Sequence, residues 1–262
     1  MNSAMSISDH LKNHKSIRQY KSTPIDEALL KDLIHCGQRG SSSGNLQSWS
    51  VVISRERESR EKLYELHSRQ KMILQAPVVL TFCSDFYRIR RWLKINDAKG
   101  SFDDFLGFLV GMADAIIAAQ NVAIAAESHG LGICYMGTTL SAADEISKHL
   151  KLPETVVPVT SLVVGYPDED IPEVRYRLPL EAIIHEEVYD PKTDEEISDI
   201  YREFEEQAWA RYARIPGMLD KLEAASITHV AHFYTSDLKY SKKRHETASA
   251  MLLELLRSKK FM

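Results

Sequence analysis

Short apolar runs alternate with longer stretches of helical periodicity along most of the chain. Four runs have the length and composition of buried strands: Trp49 to Ser54, Pro77 to Ser84, Ile133 to Met136 and Val156 to Gly165. Helices are predicted around them over Ser6 to Asn13, Thr23 to Gly37 or Gly40, Glu56 to His67, Asp103 to His129 and Ser141 to Leu150. This alternation predicts an α/β or mixed α+β architecture with one central sheet.

The longest predicted helix is apolar enough to resemble a membrane span between Phe105 and Ala126. It contains Asp114, Gln120 and Asn121, however, and an aspartate in mid-span costs a few kcal/mol on insertion scales. We therefore expect a central helix surrounded by protein, and no membrane partner.

The pattern changes after Pro179, where no further strand is predicted. Thr193 and Glu196 have the spacing of a capping box, and a last amphipathic helix begins near Arg244. We expect two parts: a core over residues 1–189 and a C-terminal helical extension over residues 190–262. Because the extension has no sheet of its own, we expect it to pack on the main body or on a partner subunit.

Composition narrows the class of protein. The chain has 262 residues, 44% hydrophobic residues and a formal net charge of -4, so nothing favours a nucleic-acid partner. Cys36, Cys83 and Cys134 are far apart and form no CxxC pair. Reduced thiols and a cytoplasmic location are therefore expected.

Two cationic clusters lie far apart in the sequence. His14-Lys15-Ser16-Ile17-Arg18 is a compact set of donors near the N-terminus, and Arg175-Tyr176-Arg177 follows the last predicted strand. Arginine forks match phosphate oxygens bidentately, and Ser16 adds a neutral hydroxyl. Solvated surface arginines are the alternative, but the two clusters suit one phosphorylated cofactor held from two sides.

Polar loops lie between these clusters. Ser41 to Trp49 reads SSSGNLQSW, and Gln70-Lys71 precedes the second strand, so both offer donors to a heterocycle, although ordinary turns would use the same residues. Gly130 and Gly132 suit a helix end and a tight turn. Gly137 lies just beyond a predicted strand end, where a glycine lets the backbone approach a flat ligand.

Common catalytic motifs are missing. The chain has no GxGxxG, Walker A, GxSxG or HExxH pattern, and nothing supplies a third ligand beside His229 and His232, so no metal site is predicted. No carboxylate pair has an evident acid/base setting. Polar loops without acid/base machinery fit a protein whose cofactor performs the chemistry.

Taken in order, the motifs resemble the nitroreductase superfamily of FMN proteins. They are His14 to Arg18, the SSSGNLQSW loop, Gln70-Lys71, Ala125 to Gly132 with Tyr135-Met136-Gly137, Val164 to Pro167 and Arg175 to Pro179. The resemblance covers about Ser6 to Tyr189 and is closest to the oxygen-insensitive NADPH nitroreductase/flavin reductase branch. It implies an α+β fold, a three-layer α/β/α sandwich whose mostly antiparallel central sheet is flanked by helices.

The resemblance also implies roles for particular residues. The ribityl phosphate of FMN would be held by His14, Lys15, Ser16, Arg18, Arg175 and Arg177. The other subunit of a homodimer would place three residues alongside the isoalloxazine, namely Ser42, Ser43 and Gln47. Gln70 would contact the pyrimidine side of the flavin, and the backbone of Tyr135, Met136 and Gly137 would approach the N5 region.

The implied activity is hydride transfer from NADPH or NADH through flavin N5 to nitroaromatics, quinones or free flavin, by a ping-pong mechanism. Two alternatives keep the fold and FMN: a specialised flavin oxidase or dehalogenase, and a sensor or carrier without significant turnover. A third is a helix-rich interaction protein, which would leave the paired arginine clusters unexplained.

The chain departs from this branch at three places. Thr138 stands where a glycine is usual, which predicts a narrower pocket over N5, and Arg175 stands where a lysine is usual. The region after Tyr189 departs most. It contains a basic cluster that could bind the adenosine 2′-phosphate of NADPH or could simply be the solvated start of a helix. The cluster consists of Lys239, Lys242, Lys243 and Arg244. The preference between NADPH and NADH is left open.

Overall fold

A computed structural model of the chain describes residues 6–171 and 173–262. They divide into two compact units, the first formed by Met1–Pro172 with Ala248–Met262 and the second by Glu173–Thr247. The domain boundary expected between residues 189 and 190 stays a prediction.

The first unit holds the strands and most helices. Its strands are β1 (Trp49–Ser54), β2 (Val78–Asp85), β3 (Gly132–Tyr135) and β4 (Val156–Gly165). Its helices are α1 (Ile7–Lys12), α2 (Glu27–Gln38), α3 (Arg57–Leu66), α4 (Met72–Gln75), α5 (Tyr87–Ile95), α6 (Phe105–Ser128) and α7 (Ala143–His149). The later helices are α8 (Asp194–Ala213), α9 (Met218–Ala224), α10 (Val230–Tyr234) and α11 (Lys242–Ser258), whose residues from Ala248 onward belong to the first unit.

The four strands form one sheet in the order β1-β2-β4-β3, and every pairing is antiparallel. The register shifts between Phe82 and Cys83, which pair with Thr160 and Pro158. A proline has no N–H for the ladder and is tolerated at such an irregularity. The predicted antiparallel sheet is confirmed.

Both faces of the sheet are covered, which gives three layers. Alternate residues of β2 enter different clusters: Val78, Leu80 and Phe82 pack with α2 and α6, whereas Val79 packs on the opposite side. That opposite cluster contains helical residues Leu63, Met72, Ile73 and Ile146 from α3, α4 and α7. The period-2 alternation of a strand therefore builds the predicted α/β/α sandwich.

Helix α6 is the apolar segment that resembled a membrane span, and it has the length and composition of one. It nevertheless packs on the sheet, and its Asp114 is only 2% exposed. The carboxylate accepts hydrogen bonds from Ser43 N at 3.0 Å, Ser48 N at 3.1 Å and Ser48 Oγ at 2.7 Å. A buried carboxylate that accepts three hydrogen bonds anchors the loop before β1. Burial of this kind agrees with the expectation of a core helix.

The C-terminal residues close one end of the sandwich. Phe261 is fully buried against Phe86 and Phe108, and the Arg90 guanidinium lies 4.9 Å from its ring centroid. Lys259 O accepts a hydrogen bond from Thr155 N at 3.1 Å, and Lys260 O accepts one from Arg90 at 3.0 Å. The end of the chain is thus part of the first unit's core.

The second unit is helical and has a small aromatic core. Tyr212 and Phe233 pack edge to face at 5.2 Å, together with Ala208, Leu222 and Val230. Thr193 and Glu196 form the predicted capping box at the start of α8.

Some local predictions differ from the structure. All strands were located to within one residue, but α4, α5, α9 and α10 were not predicted. Ser141 opens the predicted helix from Ser141 to Leu150, and serine is a good N-cap residue. It does not cap α7, however, because its hydroxyl donates to Thr138 O at 2.9 Å. The side chains of α3 are mostly exposed or half-buried, and Leu63 at its inner face is fully buried.

We expect Phe261→Ala to lower the free energy of unfolding by about 3–5 kcal/mol, because it empties a closed aromatic cluster. Met262→Ala is the matched control, since the neighbouring side chain is 54% exposed. Chemical denaturation followed by circular dichroism measures both. Equal midpoints for the two variants would contradict the packing of the C-terminus described above.

Candidate functional site

The donor segment His14 to Arg18 lies along the outer edge of β3. Ser16 forms a parallel bridge with Ile133, and Ile17 N donates to Ile133 O at 2.9 Å. A Cβ on Gly132 would lie 2.5 Å from Ile17, so only glycine permits this approach. Gly132 was interpreted as part of a turn; instead it belongs to β3 and seats the donor segment.

Protein partners orient the donors of this segment. His14 Nδ1 lies 2.6 Å from Glu127 Oε1, and the Lys15 ammonium donates to the carbonyl of Ile171. Glu169 accepts hydrogen bonds from the backbone N–H of Arg18 and, at 3.0 Å, from that of Gln19. The exposed Arg18 guanidinium donates to Ser16 O at 3.2 Å. The segment thus brings an imidazole, an ammonium, a guanidinium and a hydroxyl to a single edge.

The turn after β3 is open on one side. Met136 N donates to Ser161 O at 2.9 Å, which continues the pairing with β4. Gly137 is exposed, and a Cβ built there would meet nothing within 4 Å. Tyr135 OH donates to Gln120 at 3.1 Å, and burial raises the pKa of Tyr135 to about 12. A flat ligand can therefore approach the backbone at Gly137.

A second loop meets this turn through a buried histidine. Gln70 Nε2 donates to His67 O at 3.2 Å, and His67 Nδ1 lies 2.7 Å from Thr138 Oγ1. The His67 ring is fully buried, and burial lowers the pKa of His67 to about 4. His67 is therefore neutral near pH 7. Gln70 and Gly137, predicted separately from the sequence, belong to connected loops.

The Ser42 to Gln47 loop lies at the other edge of the sheet. It leads into β1, whereas the donor segment pairs with β3, and three interstrand spacings separate these strands, roughly 14 Å. Gln47 N donates to Ser42 Oγ at 3.2 Å, and the side chains of Ser43 and Gln47 are exposed. One chain thus presents its two sets of polar groups at opposite sheet edges.

Arg175 and Arg177 belong to the second unit, and both are exposed. Arg177 Nη1 donates to the carbonyls of Arg175 and Tyr176, each at 3.4 Å. Their predicted contribution to a phosphate site with Arg18 stays a prediction.

The basic residues near α11 do not form one uniform cluster. The Lys239 ammonium lies 3.3 Å from the ring centroid of Tyr234 and 5.0 Å from that of Phe233, and burial lowers the pKa of Lys239. Lys239 is therefore held by cation–π contacts. Lys242, Lys243 and Arg244 are exposed at the start of α11.

The two nearby histidines of the second unit also have a structural role. His229 Nδ1 accepts a hydrogen bond from Ala231 N at 3.2 Å and caps α10, while its Nε2 lies 2.9 Å from Glu205. In residues 6–171 and 173–262, no group of three His, Cys, Asp or Glu side chains is placed to hold a metal ion.

Sequence reasoning missed three residues that support the site. Glu127 falls inside a motif that was noted, but nothing local shows that it meets His14. His67 and Glu169 gave no signal, because their contacts span 71 and 151 positions. Only the tertiary fold brings such groups together.

Comparison with known proteins agrees with this geometry. The profile of the Nitroreductase family matches residues 11–166. The oxygen-insensitive NADPH nitroreductase of Salmonella typhimurium is 35% identical over 196 residues, 72% of this chain and 79% of that protein.

Solved structures show the same fold. Nitroreductase A from Vibrio parahaemolyticus superposes with a TM-score of 0.80 at 29% identity, covering 98% of both chains. The NADPH:FMN oxidoreductase from Vibrio harveyi, complexed with NAD+, gives a TM-score of 0.70 at 30% identity, covering 83% of this chain and 96% of that one. By profile, identity and fold, the chain belongs to the Nitroreductase family.

Proposed function

We propose that this protein is an FMN-dependent oxidoreductase that uses NADPH or NADH to reduce nitroaromatics, quinones or free flavin. The observation that carries the proposal is the donor segment fixed on β3 beside the open backbone at Gly137. Relatives named NADPH nitroreductase and NADPH:FMN oxidoreductase support the same cofactor pair for this chain.

The residues present fit FMN. His14, Lys15, Ser16 and Arg18 supply charged and neutral donors of the kind that phosphate oxygens accept. Gln70 offers an amide on a loop joined to the Gly137 turn, which suits the carbonyl-rich edge of a flavin ring. When bound, FMN supplies the hydride acceptance and donation that the side chains of this site lack.

The protein's part in the reaction is to bind and orient. Glu127 fixes the ring of His14 through Nδ1, and Glu169 fixes the backbone that carries Arg18. The ring and this stretch of backbone therefore need little reorganisation when a phosphate binds. The Gly137 turn lets a ring lie close to the backbone. Alternate binding of the nicotinamide and the acceptor at this site would give the ping-pong order.

A homodimer completes the proposed site. Ser42, Ser43 and Gln47 lie at the sheet edge opposite the donor segment, so a second subunit is the source of such groups at each site. α6 also has exposed apolar side chains on its outer side: Phe105, Leu106, Ile116 and Ile117. Burial of such a stripe drives association between subunits. Three widely spaced cysteines without a CxxC pair favour a cytoplasmic setting for this dimer.

The purified protein should be yellow, and NADPH added without oxygen should bleach the flavin absorbance. Steady-state oxidation of NADPH with menadione or a nitrofuran should give parallel double-reciprocal lines, as expected for ping-pong kinetics. Free FMN with NADPH is the control. A protein that cannot take up FMN contradicts the proposal, and one that binds FMN without turnover is the sensor or carrier alternative.

Arg18→Ala should weaken FMN binding by about 1.5–3 kcal/mol, because one charge-assisted contact to phosphate is lost. Titration of apoprotein with FMN measures the change. Arg39→Ala is the matched control, since this exposed arginine lies at the end of α2. Equal affinities for the two variants would remove Arg18 from the site.

Ile116→Asp should convert the dimer into monomers and reduce FMN retention, because a charge on the outer side of α6 opposes burial. Size-exclusion chromatography with light scattering gives the mass, and flavin absorbance gives occupancy. Lys62→Asp on the exposed side of α3 is the control. A dimeric Ile116→Asp protein with full FMN content would show that α6 is not the interface.

A further inference from the structure

Thr138, which stands where a glycine is usual in the branch that the sequence resembles, contacts a buried histidine. The Thr138 hydroxyl lies 2.7 Å from His67 Nδ1. His67 Nε2 is buried and has no hydrogen-bond partner among the described residues. Burial keeps the ring neutral, so one of its nitrogens carries a proton and the other does not.

The position of that proton decides what the Thr138 hydroxyl can do. If Nε2 carried it, the threonine would donate to Nδ1, and a buried N–H would have no acceptor. Buried N–H groups of that kind are rare in native proteins, whereas acceptors with an unused lone pair are tolerated more often. The favoured arrangement therefore places the proton on Nδ1, from which it is donated to Thr138 Oγ1.

This arrangement leaves the hydroxyl proton of Thr138 available. No other described residue accepts a hydrogen bond from it. Thr138 directly follows Gly137, whose surroundings are open, and it is only partly buried. The proton can thus be directed toward a molecule that lies over Gly137.

We propose that the Thr138 hydroxyl, aimed by the buried ring of His67, donates a hydrogen bond to the flat ligand held over Gly137. The inference rests on the proposed function, in which that ligand is the ring of FMN. Thr138 is then a ligand-contacting residue, and His67 is a positioning residue that acts through it. Gln70, which donates to His67 O, ties the neighbouring loop to the same arrangement.

The next residue provides a matched control. Thr139 is almost fully buried, and its hydroxyl donates to Met136 O at 2.9 Å, with Ser161 Oγ at 3.2 Å. Its role is to hold the turn from inside. Thr139→Val should lower stability without a direct effect on a ligand, whereas Thr138→Val should affect the ligand.

The first experiment locates the proton in the apoprotein. Nitrogen-15 NMR of labelled histidine distinguishes the two neutral tautomers, and the His67→Phe variant assigns the signal. A proton on Nδ1 at pH 7 is the expected result. A proton on Nε2 overturns the proposal, since the threonine would then donate to His67. Because no cofactor is needed, this result does not depend on the proposed function.

The second experiment measures FMN affinity and the visible flavin spectrum. Thr138→Val should raise the dissociation constant about fivefold and shift the flavin bands. Thr138→Ser should match the wild type, and Thr139→Val should leave the position of the flavin bands unchanged. His67→Phe should weaken binding less, and the double variant should be no weaker than Thr138→Val alone.

The outcomes separate the two proposals. If the wild type binds FMN and Thr138→Val leaves affinity and spectrum unchanged, the hydroxyl contact is wrong while the proposed function stands. If the wild type takes up no FMN, the proposed function itself fails. Should Thr138→Val not fold, a Thr138→Ser protein with the wild-type spectrum and the tautomer on Nδ1 supports the proposal, and an Nε2 proton refutes it.

Discussion

The burial of both faces of a four-stranded sheet is the constraint on which the rest of the first unit depends. Every residue of β2 is buried, and alternate side chains pack against helices on opposite sides. Because apolar side chains point to both faces, neither face can remain in water, so α2 and α6 cover one and α3, α4 and α7 the other. A polar side chain on a buried face needs a hydrogen-bond partner, as Thr81 finds in Ser161, whose hydroxyl donates to it at 3.2 Å. The charged donors of the candidate site lie instead at a sheet edge.

One of those edges is defined by a single close contact. Ile17 approaches Gly132 so closely that a side chain there would collide, and the backbone of Ser16 and Ile17 then pairs with β3. The donors of this segment are therefore positioned by backbone pairing with a buried sheet. Glu127 and Glu169, from distant parts of the chain, complete the orientation of His14 and Arg18.

The sequence predicted the parts of this structure that depend on local patterns. Strands such as Val156–Gly165 could be located from apolar runs, and the capping box at Thr193 could be located from its residue spacing. Both patterns depend only on residues that are close together in the sequence. The α5 helix has four basic residues and Phe86 at its N-cap position. The carboxylate at its start is that of Asp85, the last residue of β2, which accepts a hydrogen bond from Tyr87 N at 3.0 Å, so no separate cap residue divides the helix from the strand pattern. At Ser141 the sequence contains a good N-cap residue, but its hydroxyl donates to the carbonyl of Thr138 and does not cap the helix.

The candidate site also has parts that could be predicted from the sequence and parts that could not. His14 to Arg18 and Gly137 could be identified because donor-rich and glycine-containing segments are visible in sequence. The contact of His67 with Thr138 could not, because it requires the end of α3 to meet the turn after β3. Ser68 and Arg69, just beyond His67, adopt left-handed backbone conformations at φ 56, which few residues other than glycine accept. Such strain persists only where the surrounding contacts require it.

Helix α6 links the core, the second sheet edge and the proposed dimer. On its inner side Asp114 binds the backbone of Ser43 and Ser48, and so fixes the loop that presents Gln47. Its outer side carries exposed apolar residues such as Ile116. Because one rigid helix provides both features, association through the outer side would bring an already ordered loop to the partner's donor segment. The conformational entropy of that loop is then lost when the chain folds and not when the cofactor binds. This order of events favours tight cofactor binding at the subunit boundary.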